Sequence, residues 1–280
     1  MEALLVFCHL KKDPDNVYSP ERDNVVKVEN CLDIVVDIVL FYIKTYKEKM
    51  GTKYNPRIVT NNLTYYLDAG NPRSYVGSGL TSYDLQYGGI GGTLVNGTGF
   101  GTTNNGYFIF DGTNDYIQVP VNYVPTGNEV TICLWNYGTT AQGSSVFNSH
   151  KNDNSRTINI HLPWSDSVVY WDAGYSGGTY DRLYTATLSS SQWQGWHHWS
   201  FTKNATTGVM EIYLDGNLNI SGASKNRTID VADEAYIGKF QITGSLYHIG
   251  RVSLLHLYNR ALSAAEVKQN YHATKKRYGL

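Results

Sequence analysis

Apolar residues recur at helical spacing only near the two ends of the chain. From Val25 to Lys49, the residues Val28, Leu32, Val35, Val36, Val39, Leu40 and Ile43 cover one broad face, and Glu29, Asp33 and Asp37 mark a polar stripe every four residues. Ser19-Pro20-Glu21 just upstream supplies a cap, a proline for the first turn and an early acid. The pattern predicts an amphipathic helix inside an N-terminal extension of residues 1–53. Its apolar run, Ile34–Ile43, contains Asp37 and is too short to span a bilayer. Such a face either docks on a partner or a second copy, or the segment is a poorly ordered extension or sequence upstream of a true start at Met50; the spacing leaves these open.

From Tyr54 onward the pattern changes to short runs separated by turn residues. Asp215-Gly216 lies between Val209–Leu214 and Leu218–Ser221 and predicts a tight hairpin. Asn204–Gly208 separates Trp196–Lys203 from Val209–Leu214, and Asp111–Asp115 joins Tyr107–Phe110 to Tyr116–Val119. Val130–Trp135, Val168–Asp172, Tyr236–Gly238 and Arg251–Tyr258 are further strand candidates. Strands at this spacing, without alternating helices, predict an all-β sandwich over residues 54–280. One helix is written at its end. Ser263-Ala264-Ala265-Glu266 forms a capping box, with Leu262 and Val267 placed as its hydrophobic staple. That helix, ending near Ala273, is too short to stand alone and is expected to pack on the sandwich.

Composition agrees with this division. Residues 51–280 are rich in Gly, Asn, Thr and Tyr, and charged residues make up only 17% of the chain. Polar surface must therefore come largely from hydroxyls and amides. A net charge of −1 gives no basic footprint for nucleic acid. Cys8, Cys31 and Cys133 are odd in number and too widely spaced for a thiolate metal site. A fold that does not lean on disulfides suits assembly in a reducing cytoplasm, even for a product that works outside a cell.

Six segments, in order, carry a family resemblance. They are Leu63–Pro72, Gly106–Ile117, Val130–Trp135, Gly195–Thr202, Glu211–Gly216 and Leu257–Val267. Together they resemble the laminin-G-like, concanavalin A-like jelly roll of the lectin/glucanase superfamily. The resemblance implies a jelly-roll sandwich built for binding or structure, and it places Trp135 and Trp196 at core positions. Tyr54–Thr60, leading into the Tyr-Tyr-Leu-Asp run, is also similar to modules of tailed-phage structural proteins. That implies a virion fibre, appendage or decoration protein, with host-surface polysaccharide, other virion proteins or further copies of itself as partners.

The same fold hosts glycan hydrolases, which need two carboxylates about 5 Å apart in the retaining mechanism. Only Glu129, Glu211, Glu234 and Glu266 are available in the sandwich. Glu266 is used by the cap, and Asp215, four residues from Glu211, is a turn residue. No acidic strand pair remains, so the chain is expected not to be an enzyme. His197 and His198 are adjacent, point to opposite faces of a strand and cannot chelate one ion together.

Two candidate sites follow. Asp68, at a strand end, with Asp111 and Asp115, in a five-residue loop, are candidate oxygen ligands for a structural calcium ion. Trp164, Trp171, Tyr175 and Tyr180 lie in His161–Tyr184, a stretch rich in Gly, Ser, Asp and Tyr. Sugar C–H faces stack on aromatic rings, so these four are the candidate glycan platforms. A Tyr-rich surface serves equally as a protein interface.

Overall fold

In a computed structural model, residues 56–240 and 246–280 are described. The amphipathic helix expected within residues 1–53 lies outside them. The first strands are β1 (Leu63–Asp68), β2 (Thr81–Tyr83), β3 (Ile90–Val95), β4 (Gly99–Gly101), β5 (Tyr107–Asp111) and β6 (Tyr116–Gln118). The middle ones are β7 (Glu129–Gly138), β8 (Phe147–His150), β9 (Arg156–His161), β10 (Tyr170–Ser176) and β11 (Thr179–Tyr184). The last are β12 (Gly195–Asn204), β13 (Val209–Leu214), β14 (Asn217–Gly222), β15 (Glu234–Ile237) and β16 (Ile249–Tyr258). One α-helix, α1 (Ala264–Thr274), follows.

The strands form two antiparallel sheets, a jelly-roll sandwich. Sheet A runs β14-β13-β12-β7-β16-β5-β4, and sheet B runs β11-β10-β9-β8-β15-β6-β3-β2. β16 pairs β7 on one side; on the other it pairs β5 through Ile249–Val252 and β1 through Leu254–Tyr258. The hairpin written at Asp215-Gly216 joins β13 to β14, with positive φ at both residues (49° and 75°). That is the backbone a two-residue hairpin turn demands.

Alternate residues of each sheet meet in one apolar core. Phe201, Ile212 and Leu255 from sheet A pack with Ile117, Phe147, Ile158 and Trp171 from sheet B, all fully or almost fully buried. One ion pair crosses this interior. Lys203 of β12, whose side chain is 0% exposed, reaches Asp181 of β11 at 2.7 Å, and Arg227 holds the other carboxylate oxygen at 2.6 Å.

The C-terminal segment covers the other face of sheet A. Ser263 and Glu266 form the expected capping box, and Leu262 and Val267 share one cluster with Leu63, Cys133 and Tyr258. Trp135, on the same face, stacks on Tyr278 with ring centroids 3.9 Å apart. Trp196 departs from its expected core position: it is half-buried against Tyr107, Tyr137 and Tyr278. Trp199, three residues on, and Trp193 are the buried indoles of that region. Among the described residues, no helix is long and apolar enough to cross a membrane.

Candidate functional site

The outer face of sheet B, turned away from sheet A, carries polar residues that are nonetheless buried. Asn148, Asn159 and Asp172 are fully buried, and His150 and His161 nearly so. Period-two alternation puts Ile158, Ile160 and Trp171 inward and Asn159, His161, Tyr170 and Asp172 outward. Two irregularities bring further side chains to this face. Ile158 pairs Ser149 but Arg156 pairs His150, so one extra residue in β9 turns Arg156 outward beside His150. A second extra residue, Gly174 of β10 at φ 76°, sets Tyr175 opposite Tyr180.

Arg156, His161, Tyr170, Tyr180 and Arg182 of this face help to surround a cavity of about 280 Å³. Its floor is Arg156 and Arg182, which grip Asp172 beneath them; the Asp172 side chain is 0% exposed and does not itself line the cavity. Arg182 donates from Nε and Nη2 at 2.6 and 2.8 Å, and Arg156 donates from Nη1 at 3.0 Å. Aromatic rings cover the guanidinium faces. Arg156 lies 4.9 Å from the Tyr180 ring and 4.7 Å from Phe240; Arg182 lies 4.9 Å from Tyr170 and 5.1 Å from Tyr180.

Trp164 forms the rim. Its ring meets His161 edge-on at 4.4 Å, and its backbone N–H donates to the Val168 carbonyl at 2.9 Å. Gly143 makes room for it: a Cβ there would lie 3.1 Å from the indole. Asp166, exposed beside it, accepts from the Val168 N–H and from the Tyr170 hydroxyl at 2.7 Å. His161 donates from Nδ1 to the Ser144 carbonyl at 2.6 Å and accepts from Asn159 Nδ2 at 2.8 Å through Nε2. Burial lowers its pKa to about 4, so it stands neutral at pH 7 in this tautomer.

Of the four expected platforms, Trp164 and Tyr180 meet at this cavity. Tyr175 is half-buried opposite Tyr180 but does not line it. Trp171 is a correction. It points into the sandwich, is 0% exposed, lies against Phe201 and donates its indole N–H to the Thr202 carbonyl, so no face of it is open to a ligand. The reason is its inward register opposite Ile160. Arg156 and Arg182, which make the floor, and Asp172 beneath them were not singled out by the sequence. The signal for Asp172 and Arg182 was the alternation of charged residues with Trp171 and Leu183.

The three aspartates expected at a calcium ion are not brought together. Asp68 and Asp111 pair residues five apart along β16, roughly 16 Å at strand rise. Asp68 is held by Arg277 at 2.6 Å. Asp111 and Asp115 do share a loop: Asp111 Oδ1 accepts from the Thr113 and Asn114 N–H groups, and Asp115 accepts from the Asp111 N–H. Among the described residues, no group of three His, Cys, Asp or Glu is placed to hold one ion.

Among the described residues, each glutamate has a structural partner. Glu129 accepts from Asn204 and the Ala261 N–H, and Glu211 from Thr202 and Tyr213. Glu234 accepts from Tyr236 and lies beside His150, and Glu266 pairs with Arg260. The arginine and the cap hold Glu266 at a pKa of about 2.

Known structures share this architecture. The binding domain of paraclostridial mosquitocidal protein 1 matches with a TM-score of 0.59 at 16% identity, over 75% of this chain and 52% of its own. The botulinum neurotoxin serotype D binding domain matches with a TM-score of 0.57 at 13% identity, over 75% and 51%. Domain 4 of AbnA, a GH43 extracellular arabinanase from Geobacillus stearothermophilus solved in complex with arabinotriose, gives 0.57 at 16% identity, over 75% and 98%. The chain thus spans about half the length of the two toxin binding domains. At these identities the likeness is one of fold. No curated protein sequence matches the chain. The sequence profile of the superfamily does match, over residues 111–268, from the end of β5 through the eleven strands β6–β16 and into α1. The chain therefore belongs to the Concanavalin A-like lectin/glucanases superfamily.

Proposed function

We propose that the protein is a non-catalytic binding module that takes a glycan into the cavity between Trp164 and Tyr180. One observation carries the reading: the fold brings Trp164 and Tyr180 to one cavity whose floor is made of fixed, charged hydrogen-bonding groups. Aromatic rings for sugar faces and in-plane donors for sugar oxygens are what glycan recognition requires. The arabinanase domain solved with arabinotriose lends support as a binder of this fold. The non-catalytic part is supported by the carboxylates. Asp172 is locked by two arginines, and the four glutamates are held by caps, hydroxyls and backbone N–H groups. A glycan array tests the proposal: binding is expected, and Trp164→Ala is expected to abolish it. An array without hits refutes it.

The proposal extends to place: an external surface such as that of a virion, facing host polysaccharide. The likeness of Tyr54–Thr60 to phage modules supports this part. Mass spectrometry of purified particles tests it.

A second reading, protein contact, is favoured by one observation. Val76, Leu80, Tyr83, Tyr87 and Ile90 are all exposed, by 41–67%, on and around edge strand β2. Light scattering of wild type and Leu80→Asp checks for self-association through this patch.

A further inference from the structure

We infer that the Trp164–Tyr180 cavity selects acidic sugars, those bearing a carboxylate, over their neutral counterparts. The inference deepens the glycan-binding reading and rests on it.

The charge count on the floor comes first. One buried carboxylate, Asp172, faces two guanidiniums, Arg156 and Arg182. One positive charge is left over where water is largely excluded: the Arg156 side chain is 17% exposed and Arg182 32%. His161 adds no charge at neutral pH, because burial keeps it unprotonated. Asp166 is the carboxylate of the lining. It sits at the exposed rim and already accepts from Tyr170 and Val168, and solvent weakens its repulsion of an anion without removing it.

Donor geometry comes second. A guanidinium carries five N–H groups in one plane. Arg182 spends Nε and Nη2 on Asp172, and Arg156 spends Nη1 on Asp172 and on the Tyr180 hydroxyl. Among the described residues, Nη1 of Arg182 and Nε and Nη2 of Arg156 have no hydrogen-bond partner. Tyr180, Phe240 and Tyr170 cover the flat faces, so a ligand meets guanidinium edges. In-plane N–H groups on a guanidinium edge match the two oxygens of a carboxylate. A neutral hydroxyl can accept one of these bonds but cannot balance the extra charge.

The test uses the full chain and matched probes: trigalacturonic acid, a sialylated trisaccharide and a glucuronic acid-terminated oligosaccharide, each against its methyl ester. Titration calorimetry is expected to show at least one acid binding roughly tenfold tighter than its ester, as for hydrogen bonds to a charged partner. Arg156→Gln is expected to erase that preference. Because loss of an arginine can unfold the site, Asp166→Asn is measured too. Removing the rim charge is expected to tighten acid binding several-fold more than it changes ester binding. Acid and ester binding within threefold of each other, with both lost in Trp164→Ala, overturns the acidic preference and leaves glycan binding standing. Asp166→Asn binding the acid no better than wild type also overturns it. No binding to any probe, together with an array without hits, overturns both readings.

Discussion

Trp135 donates its indole N–H to the Thr274 hydroxyl at 2.7 Å, across 139 residues of sequence. This bond fastens the last turn of α1 to the middle of sheet A. Tyr278, four residues later, closes over the same indole. The C-terminal turn is therefore part of a buried cluster with Trp135 and Leu254. Tyr278→Ala is expected to destabilise the protein by about 3 kcal/mol, the cost of a large buried truncation. Urea denaturation followed by tryptophan fluorescence measures it; a loss below about 1 kcal/mol would show that the turn only decorates the sheet.

Two tryptophans in one stretch are expected to behave in opposite ways. Trp171 is sealed in the core, so Trp171→Ala is expected to cost about 3–5 kcal/mol. Trp164 is half-buried at the cavity rim, so Trp164→Ala is expected to lower stability by about 1 kcal/mol while abolishing glycan binding. Paired melting and array measurements check the contrast. Equal destabilisation by both variants would return Trp164 to a purely structural role.

Acid should unfold this protein early. Burial lowers the pKa of His161, His198 and His248 to about 4, and burial with help from His198 lowers that of His256 to about 3. An unfolded histidine titrates near 6.5. Between about pH 6.5 and 4 the unfolded chain thus binds more protons, so stability falls as pH falls through that window. Each histidine contributes at most about 1.4 kcal/mol per pH unit. Neither nitrogen of His198 or His256 has a hydrogen-bond partner among the described residues, so charging either one is uncompensated. Tm measured from pH 7.5 to 4.5 is expected to drop steadily below pH 6.5, and His256→Gln is expected to flatten the curve. A level Tm across that range would contradict the argument.

The ion pair inside the sandwich gives a fourth expectation. Asp181→Ala leaves the Lys203 ammonium buried without a counter-charge, at a cost of about 3–5 kcal/mol. Lys203→Met is expected to be milder, because Arg227 and its backbone N–H still hold Asp181. Chemical denaturation of both variants ranks the two losses, and the reverse order would count against this account.

Elements with a one-sided pattern were legible in the sequence. β13 runs over Val209–Leu214 as expected, and α1 starts at its written cap. The strands that were missed share two traits. β3 and β4 are glycine-rich, and β8, β9 and β11 carry Asn, His and Arg on the face that forms the cavity. A face that buries polar groups against one another looks, in sequence, like a loop. The site was half legible for the same reason. The stretch His161–Tyr184 contains Trp164, Tyr170, Tyr180 and Arg182, but Arg156 reaches the cavity only through an extra residue in β9 that no local pattern announces.

The position of β16 bears on how the chain is made. It is the final strand in sequence, yet it lies inside sheet A with neighbours on both edges. A ribosome delivers it after all the other strands. Until about Tyr258 has emerged, β7, β5 and β1 each present a row of unsatisfied backbone groups to solvent. The sandwich is thus completed in one event after its other strands have been made, and nascent chains stalled before β16 are the species most exposed to aggregation or chaperone capture.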